Sequence, residues 1–376
     1  MLRVNIPGFS ANQKGGPRWG DATIMDDGKN YLVIDGYCGI GTTNLINRLK
    51  AQKIKSPYLF LSHAHYDHYF GLRKIINDSY FTPKCFYCYD PSTLNSSFSS
   101  SVRSEINTLK AIIADAKKRN IPVKYLKHGQ KLTIGDFKIY VYRKQPSKAE
   151  NSDAYLNNGS LCFWFPDISY WTSGDGPEKV YDVCKNVNAK PKFFKIPHHG
   201  NNCPQSQANG MKNSGALYCW DNDISTNSNN DFLRYGRRRC IQAGIKYFSC
   251  IGDINFIAQN GKVSIYKNGG VYKYTCSYKG KTTLKNPTPD IVKRILRNEL
   301  GADNTRVTNL IDAGFYPVAT QTKVNRVLAI AKGIKDGSLN WGTGQTRFDK
   351  IEKELGKGYA EIVQKQINVL YGKDKW

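Results

Sequence analysis

Long hydrophobic runs are missing from this chain of 376 residues. Its apolar stretches, such as Tyr31–Asp35 and Pro57–Leu61, are strand-sized and far below the roughly 18 residues that cross a bilayer, so no membrane span is expected. An apolar leader is also missing: Met1-Leu2-Arg3 runs into Val4-Asn5-Ile6-Pro7, which predicts cytoplasmic synthesis without a signal peptide. Acidic residues are scarce, 30 against 55 Lys+Arg, for a net charge of +25. Most of the excess precedes Pro287, where 40 basic residues face 20 acidic ones. A field of that sign gathers polyanions, whether nucleic acid, a phosphate-rich polymer or an anionic surface. Histidine is rarer still, with six in the chain.

What is plentiful describes an ordered protein. Hydrophobic residues make up 40% and aromatics 12%, with 24 tyrosines, which excludes disorder as the main state. The length predicts about two domains. Ten cysteines all precede residue 280, too dispersed in too long a chain for a disulfide scaffold. Cys85-x-x-Cys88 lacks a second pair to complete a zinc site, and Phe86, Tyr87 and Tyr89 around it read as a strand.

Up to residue 280 short β-rich runs alternate with amphipathic stretches. Strands are predicted at Ala22–Met25, Tyr31–Asp35, Tyr58–Ser62, Phe137–Tyr142, Leu161–Phe165, Tyr170–Ser173, Phe193–Ile196, Leu217–Trp220, Val263–Tyr266 and Val271–Cys276. Helices are predicted at Thr43–Gln52, Arg103–Arg119, Glu178–Val187 and Asn230–Ala243. This mixture predicts an α/β layer architecture. Asn-Gly punctuation at 259–261 and 268–270 predicts antiparallel hairpins. Residues 281–289, closing in Asn286-Pro287-Thr288-Pro289, read as a linker. From 290 to 376 helical periodicity takes over, at Asp290–Leu300, Val318–Lys335 and Tyr359–Tyr371. Gln321 and Asn325 recur as Gln364 and Asn368, each 43 residues on, which predicts two stacked helical units.

Three of the six histidines fall in Ser62-His63-Ala64-His65-Tyr66-Asp67-His68, and two more in Pro197-His198-His199-Gly200. The first window follows the apolar run Tyr58–Leu61, so it opens where a strand ends. His63 and His65 can grip one cation and Asp67 with His68 a second, since imidazole and carboxylate are the ligands zinc prefers. The window resembles the H-x-H-x-D-H signature of the metallo-β-lactamase fold. Gly20-Asp21-Ala22-Thr23-Ile24 and Leu32–Gly36 resemble that family's opening strands, Thr172-Ser173-Gly174-Asp175 its later Gly-Asp motif, and Phe194–Gly200 its final ligand motif. The resemblance covers residues 1–280. It implies an α/β fold of αββα sandwich type and a binuclear hydrolase, with zinc as the expected cofactor (two ions) and Asp175 bridging them. A hydroxide between the ions, oriented by Asp67, would attack the substrate. Adjacent residues leaving a strand point opposite ways, so one of His198 and His199 binds metal and the other faces substrate; our reading gives His198 to the metal and His199 to the leaving group.

The family's usual additional histidine has no clear counterpart, because His128 reads as a surface residue in a turn. Asn157-Asn158-Gly159-Ser160 stands in that region instead. This resembles the branch containing a competence DNA-uptake protein and a phosphorylcholine esterase of teichoic acid, and it makes Asn157 and Asn158 candidate substrate or metal contacts. Tyr66, with Tyr69, Phe70, Trp171 and Trp220, is a candidate pocket wall. Beyond residue 288, Trp341-Gly342-x-Gly344-x-x-Arg347 and Leu355-Gly356-x-Gly358-Tyr359 resemble the cell-wall-binding repeats of phage lysins. A first copy carries Gly301, Arg306 and Gly314-x-Tyr316, with Leu300 where the tryptophan would stand. Together these resemblances imply a phosphodiesterase acting on a Gram-positive cell-wall phosphate polymer (teichoic acid or its phosphorylcholine ester), released by lysis in the manner of a bacteriophage enzyme. The competing readings are a nuclease-type phosphodiesterase acting on nucleic acid and a non-catalytic wall-binding protein.

Overall fold

The computed structural model describes residues 1–9, 20–94, 100–144, 152–201, 203–222, 235–281 and 284–376. The chain divides into two compact units, residues 1–282 and 283–376. In the first, one sheet is built from β1 (Leu2–Ile6), β2 (Thr23–Asp26), β3 (Tyr31–Ile34), β4 (Tyr58–Phe60), β5 (Cys85–Cys88) and β6 (Val123–Tyr125), closed at the other edge by β14 (Ile254–Gln259), β15 (Lys262–Lys267) and β16 (Gly270–Thr275). Its order is β16-β15-β14-β1-β2-β3-β4-β5-β6. The second sheet comprises β7 (Lys131–Ile134), β8 (Phe137–Arg143), β9 (Leu161–Phe165), β10 (Tyr170–Thr172), β11 (Phe193–Lys195), β12 (Tyr218–Asp221) and β13 (Lys246–Ser249), paired in sequence order.

Side-chain alternation explains the layering. Along β9, Leu161, Phe163 and Phe165 join the core that also holds the first sheet, while Cys162 and Trp164 turn to the other face. There they meet Val180 and Cys184 of α5 (Val180–Asn186), Met211 of α6 (Gln205–Asn213) and Cys240 of α7 (Tyr235–Gln242). The first sheet shares its cluster with Leu45 and Leu49 of α1 (Gly39–Ala51), Leu72 and Ile75 of α2 (Tyr66–Asn77), and Leu109 and Ile112 of α3 (Ser100–Lys118). Helices therefore cover both sheets, and the expected α/β sandwich is the observed one. The predicted hairpins join β14 to β15 and β15 to β16 at an antiparallel edge. All ten cysteines are unbridged thiols, and Cys85 and Cys88 are buried in β5. Among the described residues no helix is long and apolar enough to cross a membrane.

The sandwich also carries α4 (Ser152–Asn158), and the second unit is built from the helices α8 (Pro289–Leu296), α9 (Asp303–Asp312), α10 (Pro317–Lys335), α11 (Gly344–Leu355) and α12 (Ala360–Leu370). Ile291, Val292, Leu310, Val327, Ile330, Ile351, Val363 and Ile367 form its core. The sequence echo has a structural counterpart. Arg306 Nε donates to Gly301 O (2.9 Å) and its Nη1 to Gln321 Oε1 (3.1 Å), and Gln321 Nε2 donates to Asn325 Oδ1 (2.8 Å). Arg347 repeats this with Gly342 O (2.8 Å) and Gln364 Oε1 (3.5 Å), and Gln364 with Asn368 (3.2 Å).

Candidate metal centre

The histidine motifs meet at the carboxyl ends of parallel strands, the edge at which an α/β sheet opens a crevice. β3 and β4 run parallel and end in Asp35 and in Ser62–His65, and β10 and β11 run parallel and lead to Asp175 and to His198-His199. His65 caps α2 from an extended conformation, which places Asp67 in the first turn, where the helix dipole favours a carboxylate. His198 and His199 both hold left-handed backbone (φ 52° and 51°), a conformation that costs about 1 kcal/mol or more per non-glycine residue.

Two ligand sets form there, and they share Asp175: Asp21, His68, Asp175 and His199 in one, His63, His65 and Asp175 in the other. Each oxygen of the shared carboxylate faces its own set. Oδ2 lies 3.5 Å from His63 Nε2 and 4.0 Å from His65 Nδ1, while Oδ1 lies 3.0 Å from His68 Nε2 and 3.4 Å from His199 Nε2. His199 Nδ1 is 3.6 Å from Asp21 Oδ1. The donor set fits divalent cations on a further observation. Asp21 Oδ1, His68 Nε2, Asp175 Oδ1 and His199 Nδ1 are buried without a properly oriented hydrogen bond, although they crowd within ion-pair distance. Close but misaligned lone pairs are what ligands aimed at a common third point present, and such atoms are costly to bury otherwise.

Behind the ligands stands Asp35. Its Oδ2 lies 2.9 Å from His68 Nδ1, so that nitrogen carries the proton and Nε2 is left facing the cluster. Asp35 also accepts from Ser62 N (2.8 Å) and Ser62 Oγ (2.7 Å), and that hydroxyl is 3.1 Å from His63 Nδ1. Gly174 fits against the same serine: at φ +54°, a Cβ there would fall 2.2 Å from Ser62 Oγ. Lys195, fully buried, puts Nζ 2.7 Å from Asp21 Oδ2 and donates to Gly174 O.

The protein groups polarise one another. Burial disfavours the charged form of His199, but the Asp175 and Asp21 carboxylates outweigh it and push its pKa up to about 10. His68 is raised in the same way, against burial, by Asp175, Asp67 and Asp35. Asp175 in turn is held well below the carboxylate range, since His199, His68 and His198 overcome its burial. His63 runs the other way: burial, then the neighbouring His68, lower it to about 3, leaving a neutral imidazole.

Of the residues singled out in the sequence, His63, His65, His68 and Asp175 converge. Asp67 sits beside them, its Oδ2 2.9 Å from His199 Nε2. Of the adjacent pair it is His199 that belongs to a ligand set; His198, its side chain 30% exposed, holds Nε2 3.9 Å from Asp175 Oδ2. Asn157 is buried with its Oδ1 unpartnered, and its main-chain carbonyl packs against Gly176; Asn158 ends α4, partly buried. Tyr66 is 47% exposed on the first turn of α2, its ring 4.8 Å from Phe70. Trp171 and Trp220 are not pocket walls but fully buried core, because their strands lie inside the sandwich. His128 accepts from Arg143 N (3.2 Å) and lines a separate cleft of about 590 Å³ with Asp90, Thr93 and Lys127. Sequence reasoning missed Asp21, Asp35 and Lys195, although the first two are lone acids at apolar strand boundaries.

No known protein family matches the chain, and no curated protein matches it. It is similar in structure to the metallo-β-lactamase fold protein YhfI from Bacillus subtilis, at 12% identity over 66% of this chain and 96% of that one, with a TM-score of 0.41. Unliganded yeast PDE1 is similar at 12% identity over 66% and 98%, with a TM-score of 0.41. The Rm3 metallo-β-lactamase is similar at 11% identity over 64% and 90%, with a TM-score of 0.33.

Proposed function

We propose that the chain is a metal-dependent hydrolase that holds two divalent cations, zinc the expected pair, and cleaves a phosphodiester in an anionic cell-wall polymer such as teichoic acid. The observation that carries this reading is the shared Asp175, one oxygen turned to each ligand set. Cations bound there would supply Lewis acidity and activate water. His63 and His65 are the ligands for one position, Asp21, His68 and His199 for the other. Asp67 holds the His199 edge and orients the attacking water by its free carboxylate lone pairs. His198, partly exposed beside Asp175, would pass a proton to the leaving group. Tyr66 and the Asn157-Asn158 segment are the candidate substrate contacts.

Two features favour a wall phosphate polymer: the net charge of +25 and the duplicated Gly-Arg-Gln-Asn network of the helical unit. The charge equally favours nucleic acid, and the experiment separates the two. Metal content is measured first, then release of phosphate-containing fragments from purified Gram-positive walls and from DNA, beside a chromogenic phosphodiester and a β-lactam. Wall fragments and diester turnover that vanish in chelator are the expected result. Nucleotide release alone would make the chain a nuclease; two bound metals with no turnover of any substrate would make it a binding protein.

A further inference from the structure

The buried lysine of the metal centre has no role in the chemistry above, and its surroundings give it one. Lys195 ends β11 in an otherwise apolar run, Phe193-Phe194-Lys195-Ile196, and is wholly enclosed. An ammonium is costly to bury, and a long apolar side chain would fill the same space without that cost. Nothing in the packing of β11 calls for a charge. What calls for it is Asp21, whose Oδ2 sits 2.7 Å from Nζ while Oδ1 is turned to His199. The same ammonium donates to the Gly174 carbonyl, one residue before the shared Asp175. Lys195 thus ties together the two segments that carry the carboxylate ligands, the one entering β2 and the one leaving β10.

We propose that Lys195 is a resident cation of the centre, a positioning residue that stands in for bound metal. It neutralises one edge of Asp21, keeps the carboxylates assembled before any ion arrives, and leaves Asp21 a single oxygen for a divalent cation. This rests on the metal-centre reading above. Its consequence is a site that is preformed in the absence of metal, loads and unloads reversibly, and binds one of its two ions less tightly than the bare ligand count implies. Removing the ammonium while keeping its bulk should make the fold lean on the metal instead.

The test compares wild type, Lys195→Met, Asp21→Asn and the double variant by thermal melting in EDTA and in zinc chloride, with zinc stoichiometry by elemental analysis. In EDTA, Lys195→Met should melt about 10 °C below wild type, the size expected when a buried ion pair loses one partner. Zinc should close most of that gap, and zinc binding by Lys195→Met should be as tight as wild type or up to about tenfold tighter, because the ammonium no longer competes for Asp21. The double variant in EDTA should recover most of the loss, since no buried charge is left alone. A Lys195→Met deficit of equal size in EDTA and in zinc would overturn the proposal, as would a double variant no more stable than Lys195→Met. If Lys195→Met does not fold at all, the double variant decides alone: its failure to fold makes Lys195 a packing residue. Wild type that takes up no zinc refutes the metal-centre reading, yet the EDTA comparison of the four proteins still tests the Lys195–Asp21 pairing.

Discussion

Asp35 belongs to neither candidate ligand set, yet it holds a histidine of each. A histidine offers a lone pair from one nitrogen only when the other is fixed as a donor, and Asp35 does this for His68 while Ser62 relays it to His63. Asp35→Asn should therefore lower zinc affinity about 10- to 100-fold, with competition against a fluorescent chelator as the measure. Wild-type affinity in that variant would mean the ligands are oriented by packing alone. A pH prediction also belongs to single residues. His199 holds its proton up to about 10 in the fold, against about 6.5 unfolded. The stability this contributes is present in full below about pH 6.5 and is lost as pH rises toward 10. Metal-stripped protein should thus lose thermal stability between about pH 7 and 10 more steeply than zinc-loaded protein, whose imidazoles are committed to metal. Lys267, which burial lowers to about 8, works in the opposite sense but equally in both forms, so the difference between the two melting series isolates the site. Parallel series would argue against His199 as a ligand.

At the scale of elements, α2 matters most because Asp67 and His68 ride in its first turn. The helix can come that close only through a glycine pair: a Cβ on Gly71 would lie 1.8 Å from Gly36 O, and one on Gly36 2.4 Å from Leu72 N. Gly71→Ala should push α2 off the turn after β3, destabilise the fold by about 1–3 kcal/mol, and cut zinc stoichiometry toward one as His68 swings away. Calorimetry with elemental analysis reads both effects; unchanged stoichiometry would show that the loop, not the helix, sets His68. Helix α2 is not among the helices that the sequence predicts. A run of histidine, tyrosine, aspartate and glycine has weak helix propensity, and tertiary packing of Leu72, Ile75 and Ile76 supplies what propensity does not. Strands with clean apolar character were legible: Leu161–Phe165 is met residue for residue, and the two Asn-Gly hairpins are where the turns predicted them. β1 and β14 were not, because their meaning lies in pairing with each other across some 250 residues, as Asn5 with Asn255. The ligand clusters followed the same rule. Histidines adjacent in sequence were visible, but Asp21 and Lys195 join the site only through sheet order, which local patterns do not encode.

Over the whole chain, the separation into a sandwich and a helical unit lets the proposed catalysis and the proposed wall binding be tested apart. The first 286 residues carry most of the positive excess, so any nonspecific polyanion binding is expected from the sandwich and should weaken steeply with salt. The proposed wall recognition by the helical unit would rest on a different kind of contact. Arg306 and Arg347 each bridge a main-chain carbonyl and a glutamine that bonds an asparagine, an array of fixed donors suited to neutral polar groups as well as anions. In the full-length protein, Arg306→Ala with Arg347→Ala should abolish sedimentation with Gram-positive walls at high salt and leave zinc content and small-diester turnover unchanged. Each single variant should retain part of the binding, because two weak sites on one chain would act together and losing one would forfeit the avidity, a factor that reaches about 100 or more. Wall binding that disappears with salt in wild type and is indifferent to both arginines would return the interaction to the basic sandwich, and the helical unit would then need another ligand.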